Sequence, residues 1–118
     1  MRIYHVSGHL DLTEEEFFEH YIPSLNEALW EGCSFVVGDA RGADSMAQEY
    51  LFGKTEKVIV FHMFGKPRNN VGFPTTGNFK SDRERDKAMT RASTHDIAWV
   101  RPGREKSGTA QNLRRRRE

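Results

Sequence analysis

The stretch from Ser34 to Asp44, which reads Ser-Phe-Val-Val-Gly-Asp-Ala-Arg-Gly-Ala-Asp, indicates the fold more clearly than any other part of the chain. Its apolar run closes at Gly38, which is typical of a short strand buried on both faces of a parallel sheet. A helix is predicted to follow from Ser45 to Phe52 and to end at Gly53. A strand that passes through a glycine turn into a helix is the repeating unit of α/β sheets.

The flanking segments repeat this alternation of strand and helix. Further strands are predicted, from their β-branched and aromatic residues, over residues 2–7, 57–63 and 96–100. Helices are predicted over residues 14–31 and 81–93 and from Ser107 onward. The order predicts an α/β protein of three layers, Rossmann-like, with a small parallel sheet of four to five strands. Residues 1–118 are expected to form a single domain with a basic tail over residues 113–118.

Two of the predicted helices begin with a capping box. Thr13 is followed by Glu16, and Ser81 is followed by Glu84, so each side chain can satisfy the other's backbone amide. Pro23 falls inside the first long helix, where it is predicted to kink the helix or split it in two.

Composition excludes several classes of protein. The 118 residues contain no apolar run of 18, so we expect no membrane span. Cys33 is the only cysteine, which excludes an internal disulfide and a multi-cysteine zinc site. The amino terminus runs directly into a strand pattern and lacks the layout of a signal peptide, so we expect a cytoplasmic protein. No metal site and no cofactor is predicted.

Charge is distributed unevenly along the chain. Residues 1–100 carry 11 Lys and Arg against 15 Asp and Glu, whereas residues 101–118 carry 7 against 2. The sequence therefore assigns the basic character to the tail, chiefly to Arg114–Arg117. Clustered arginines attract phosphate backbones, but a terminal charge run is more often a solvated helix end. A nucleic-acid partner is the less favoured interpretation.

Glycines, small hydroxyls and cations gather at the predicted carboxyl ends of the strands, where parallel sheets bind ligands. Ser7-Gly8-His9 follows the first strand, residues 38–44 the second, and Ser107-Gly108-Thr109 opens the last helix. Helix starts of this kind present free amides to a phosphate, although ordinary turns favour the same residues. Residues 64–80 are predicted to form a long loop beside this edge.

These motifs together resemble the SLOG superfamily, which includes the DNA-processing protein A family and the LONELY GUY phosphoribohydrolases. Residues 38–44 are similar to its G-x-A-x-G-x-D turn, Arg85 and Met89 with Ser107-Gly108-Thr109 to its later half, and Ser7-Gly8-His9 to its first glycine turn. The resemblance covers nearly the whole chain. It implies a Rossmann-like fold that binds a nucleotide or nucleotide-derived small molecule, and a homo-oligomer. The ligand-binding residues expected on this basis are Ser7, Gly8, His9, Gly38, Asp39, Arg41, Gly42, Asp44, Arg85, Ser107, Gly108 and Thr109.

The resemblance also implies an alternative, a hydrolase or transferase acting on the N-glycosidic bond of a nucleoside 5′-monophosphate. In the hydrolase branch the Gly-Thr turn leads to a glutamate, in the pattern G-T-x-x-E, whereas this chain has Asn112 at that position. An amide cannot act as the carboxylate that the reaction needs. Whether the chain is an enzyme stays open at this point. The candidates for a substitute catalytic group are Asp39, Asp44, Asp82 and Arg85.

Overall fold

A computed structural model of the protein describes residues 1–117 and contains a five-stranded parallel sheet. The strands are β1 (Ile3–Val6), β2 (Ser34–Gly38), β3 (Val58–Met63), β4 (Thr75–Phe79) and β5 (His95–Ile97). The helices are α1 (Glu14–His20), α2 (Ile22–Trp30), α3 (Ala43–Leu51), α4 (Asp82–Ala92) and α5 (Gly108–Arg117). The strands lie in the order β4-β3-β2-β1-β5. The predicted α/β Rossmann-like fold with a parallel sheet is confirmed.

Helices cover both faces of the sheet and give the molecule three layers. Helices α1, α2 and α3 pack together on one face, and α4 and α5 lie on the other. The larger apolar core lies under α1–α3 and includes Val37 and Leu51, whereas Val36, Phe61 and Met89 form a smaller core under α4. Consecutive valines of β2 therefore face opposite layers, as a strand buried on both sides requires. Within residues 1–117 no helix combines the length and apolarity needed to cross a bilayer.

The first helical region is split, as Pro23 predicted. Helix α1 ends at His20 and α2 begins at Ile22, with Pro23 in the first turn of α2, where a missing amide hydrogen is tolerated. The capping box of α1 is present, because Glu16 N donates to Thr13 Oγ1 at 3.1 Å and Thr13 N donates to Glu16 Oε1 at 3.0 Å.

The prediction of a continuous loop over residues 64–80 is wrong, because β4 occupies Thr75–Phe79 and pairs in parallel with β3. Gly77 and Asn78 weaken the strand signal in this segment, and Asn78 has a positive φ of 68°. Gly77 is required by packing, since a Cβ there would lie 2.0 Å from the His62 ring. This long-range contact is invisible in the local sequence.

The hydroxyl of Tyr21 joins the ends of two neighbouring strands, β1 and β5. It donates to Ser7 O at 2.8 Å, just after β1, and accepts from Trp99 N at 3.1 Å, just after β5. The prediction of a strand over residues 96–100 is wrong beyond Ile97, because the chain leaves the sheet there and the Trp99 amide donates to this hydroxyl. Tyr21 is fully buried and so fixes the spacing of the two segments.

Removing the Tyr21 hydroxyl should destabilise the protein. Tyr21→Phe leaves a buried carbonyl and a partly buried amide without their partner, so we expect the free energy of unfolding to fall by about 1–3 kcal/mol. Tyr4→Phe is the matched control, because its hydroxyl makes only a 3.4 Å contact with Arg2 at the surface. Equilibrium urea unfolding measures both variants, and equal losses of stability would contradict the bridging role.

Candidate functional site

The strand order reverses at β1, because β2 lies on one side of it and β5, the last strand in the chain, lies on the other. In open parallel sheets a crevice forms beyond the carboxyl ends of the strands at such a point. Here a cavity of about 650 Å³ opens between the end of β1, the start of α4 and the segment that leads into α5. This cavity is the candidate site.

Most of the residues singled out from the sequence border this cavity, and four do not. Gly42 has a φ of 75° and packs so tightly that a Cβ would lie 2.4 Å from Leu10 O. Arg41 is exposed to solvent. The residues that border the cavity are Ser7, Gly8, His9, Asp44, Asp82, Arg85, Ser107, Gly108 and Thr109. Those outside its wall are Gly38, Asp39, Arg41 and Gly42.

The amino terminus of α5 opens onto the cavity. Ser107 caps this helix, because Ala110 N donates to Ser107 Oγ at 3.2 Å. Among the described residues the amides of Gly108 and Thr109 have no acceptor, as expected for the first turn of a helix. Arg104 and Lys106 border the same part of the cavity. Free amides, the helix dipole and two cations together favour an anion here.

A second part of the cavity wall is built around the buried guanidinium of Arg85. Its Nη1 donates to Asp39 Oδ1 at 2.8 Å and lies 3.3 Å from Asp82 Oδ1. Its Nη2 donates to Asp86 Oδ1 at 3.1 Å and lies 4.0 Å from Asp44 Oδ2. Four carboxyl groups therefore surround one arginine. In residues 1–117 no cluster of three or more His, Cys, Asp and Glu side chains could hold a metal ion.

Asp39 has a structural task in this wall. It accepts hydrogen bonds from Arg68 N at 2.9 Å, Arg68 Nε at 3.1 Å and Arg68 Nη2 at 2.8 Å, as well as from Arg85. Burial opposes its ionisation, but the hydrogen bonds from Arg68 prevail and lower the pKa of Asp39 to about 2. Both carboxylate oxygens are therefore occupied by protein donors, and they tie the β3–β4 connection to the end of β2.

Asp44 lies in the first turn of α3 but does not cap this helix. Gly42 occupies the N-cap position, and the Asp44 carboxylate accepts from Ala40 N at 3.2 Å instead. Burial raises the pKa of Asp44 to about 7, although the charge of Arg85 opposes this shift. Burial also raises the pKa of Asp86. The cavity wall thus contains two carboxyl groups that retain a proton more readily than usual.

Asp86 and His5 are among the polar residues of the cavity that the sequence did not single out. Asp86 lies in the charged run of α4 and binds Arg85 and the side chain of Asn112, the amide at the position of the glutamate in the G-T-x-x-E pattern. His5 is fully buried and also borders the cavity. The alternation of β1 was the available signal, because it places His5 on the same face as Ser7.

His9 borders the cavity but is held by the protein. Its Nε2 accepts from Arg101 N at 2.9 Å, and its ring meets the ring of Trp99 edge-on. Burial, assisted by the charges of Arg104 and Arg101, lowers the pKa of His9. The neutral ring therefore positions the segment after β5.

The arginine tail is part of the fold. Arg116 binds the Asp96 carboxylate, with Nε 3.1 Å from Oδ2 and Nη2 3.2 Å from Oδ1, and donates to Ser93 O at 2.8 Å at the end of α4. The interpretation of a solvated helix end is therefore wrong for this residue. Arg114 and Arg117 are exposed, and Glu118, the last residue of the predicted tail, lies outside the described residues.

The fold defines a class, the Rossmann-like α/β proteins, and a solved structure shares it closely. The chain is similar to DNA processing protein A from Helicobacter pylori, with a TM-score of 0.70 and 21% sequence identity. The match covers 96% of this chain and 59% of that protein, which was solved to explain its unique mode of binding single-stranded DNA. No family model matches the chain. No curated protein matches it significantly. The likeness confirms the Rossmann-like fold that the resemblance to the SLOG superfamily implied.

The buried carboxyl of Asp44 should make stability depend on pH. Its pKa of about 7 in the fold exceeds the ordinary value of 3.8, so the folded state binds more protons and loses stability as pH rises from about 4 to about 7. Asp44→Asn removes this loss. Between pH 5 and pH 8 we expect the free energy of unfolding of the variant to rise by about 1–3 kcal/mol relative to that of the parent.

Urea unfolding at both pH values measures this gain. Asp82→Asn, at the exposed rim of the same cluster, is the control for simply removing a negative charge near Arg85. Parallel pH profiles of the parent and Asp44→Asn would show that the buried carboxyl does not titrate in this range.

Proposed function

We propose that the protein binds a nucleotide or nucleotide-derived small molecule in the cavity beyond β1, with a phosphate group at the amino terminus of α5. The observation that supports this most directly is the pair of free amides of Gly108 and Thr109 at the cavity wall. Helix starts bind phosphate through such amides and through the helix dipole. The volume of about 650 Å³ is suitable for a ligand of nucleotide size.

The charges around the cavity support a ligand with one anionic end and one polar end. Arg104 and Lys106 flank the α5 terminus, whereas Asp44, Asp82 and Asp86 surround the Arg85 guanidinium. A phosphate is attracted to the first region, and hydroxyl or amino donors are attracted to the second.

Cleavage of an N-glycosidic bond is the alternative activity of the same cavity. Asp44 and Asp86 support it, because burial raises the pKa of both carboxyl groups, to about 7 for Asp44, and a raised pKa suits a carboxyl group that transfers a proton. Asp39 is a weaker candidate, since Arg68 and Arg85 occupy its oxygens. Release of free base from a bound nucleotide distinguishes the enzyme from a binding protein.

Ligand binding can be tested by removing one amide without disturbing the helix. Proline is tolerated at the first position of a helix, so Gly108→Pro deletes one N–H of α5, whereas Gly108→Ala keeps it and enters open space. Calorimetric titration with adenosine 5′-monophosphate should show binding about tenfold weaker for Gly108→Pro and unchanged for Gly108→Ala.

The parent protein is first screened by thermal shift with adenosine 5′-monophosphate, ADP-ribose and NAD, because a bound ligand raises the melting temperature. Each incubated sample is then analysed for free base. A shift without free base supports a binding protein, and a shift with free base supports a glycosidase. The absence of any shift counts against the proposal.

Single-stranded nucleic acid is a second candidate ligand, and the separation of charge between the layers favours it. Residues 1–56, which include α1–α3, carry 3 Lys and Arg against 11 Asp and Glu, whereas residues 57–118, which include α4 and α5, carry 15 against 6. Basic character is therefore not confined to the tail. Arg83, Lys87 and Arg91 form an exposed row along α4. The similar DNA processing protein A binds single-stranded DNA.

Reversing two charges of this row should weaken binding to a polyanion. Lys87→Glu with Arg91→Glu is expected to lower the affinity for an oligothymidylate of about 20 nucleotides at least tenfold and to reduce the salt dependence of binding. Arg41→Glu with Lys54→Glu, which changes the charge equally on the other layer, is the control. Fluorescence anisotropy at several salt concentrations measures both. Equal losses for the two pairs would contradict a binding face on α4.

A further inference from the structure

The face of β1 that turns toward the cavity carries two polar side chains that form no hydrogen bond among residues 1–117. His5 and Ser7 are two residues apart and so share one face of the strand. They are 0% and 7% exposed, and both border the cavity. Within residues 1–117 the two ring nitrogens of His5 and Ser7 Oγ form no hydrogen bond. Buried polar groups are rarely left in this state, so a ligand is the natural partner.

The orientation of His5 is set from behind by a carboxylate. Asp96 Oδ1 lies 3.6 Å from His5 Nδ1, and Arg116 holds the Asp96 carboxylate through two of its nitrogens. The carboxylate favours a proton on Nδ1, because the opposite tautomer would turn a lone pair toward negative charge. Nε2 then offers a lone pair that accepts a hydrogen bond.

The surroundings of His5 keep its ring neutral. Burial lowers the pKa of His5 to about 4, against the charge of Asp96 from β5, which raises it. The charges of Arg116 and Arg115 from α5 and of Arg85 from α4 assist burial with smaller effects. At neutral pH the floor of the cavity therefore presents a hydrogen-bond acceptor rather than a cation.

We propose that His5 and Ser7 form a floor that hydrogen-bonds the sugar hydroxyls of the ligand, so that the site selects a nucleotide with free 2′ and 3′ hydroxyls. This inference rests on the proposed nucleotide function. A phosphate oxygen is itself an acceptor and does not suit the Nε2 lone pair, whereas a sugar hydroxyl donates to it and also pairs with Ser7 Oγ. The phosphate is attracted instead to the amides of Gly108 and Thr109.

The test compares adenosine 5′-monophosphate with 2′,3′-dideoxyadenosine 5′-monophosphate by calorimetric titration. The parent should bind the dideoxy compound about tenfold more weakly, since a site that bonds a hydroxyl rejects the analogue without it. In Ser7→Ala and in His5→Phe the ratio of the two affinities should fall below about threefold, because each variant removes a protein group that binds a ligand hydroxyl. The exposed His95→Ala is the control and should keep the parent ratio.

The ratio of the two affinities distinguishes recognition of the hydroxyls from a general loss of structure, because a loosened site binds both compounds more weakly to the same extent. Circular dichroism checks the folding of each variant, and Ser7→Ala alone decides the matter if His5→Phe does not fold. If the parent binds both compounds equally, or if the ratio is unchanged in Ser7→Ala, then His5 and Ser7 do not recognise the sugar hydroxyls. Either result leaves the proposed nucleotide function unaffected. A parent that binds neither compound overturns both.

Discussion

The pairing of the Arg85 guanidinium with buried carboxylates is the interaction on which the rest of the site depends. A buried charge persists only where partners are held in place, so Arg85 fixes α4 against Asp39 at the end of β2. Arg68 binds the same carboxylate and brings the β3–β4 connection to this point. One ion cluster therefore aligns the end of β2, helix α4 and the β3–β4 connection, and it forms part of the wall of the cavity.

Close packing at the end of β1 is the second constraint on the cavity. A Cβ on Gly8 would lie 2.3 Å from the Tyr21 hydroxyl and 2.5 Å from Ala43 Cβ, so packing requires glycine there. The same hydroxyl holds the segment after β5 against β1. The crevice at the reversal of strand order is thus shaped by the core beneath it, which explains why a binding edge and a stable core can share residues.

The cavity lies where two layers of opposite charge meet. Helices α1–α3 belong to the acidic part of the chain, and α4 and α5 belong to the basic part. A cleft between low-dielectric walls concentrates the field of nearby charges. Under the proposed function, the phosphate group would lie at the α5 terminus, beside Arg104 and Lys106.

The sequence by itself determined the α/β class, the glycine turns and the caps, because apolar periodicity and turn chemistry are local signals. Tertiary structure alone decided what depends on residues far apart in the chain. Strand β4 forms because β3 provides a partner and because Gly77 leaves room for a distant ring. The Asp39 carboxylate does not border the cavity, because it pairs with two arginines that lie 29 and 46 residues away in the chain. The alternation of β1 places His5 on the same face as Ser7, but only the packing of α4 against β1 makes that face a border of the cavity.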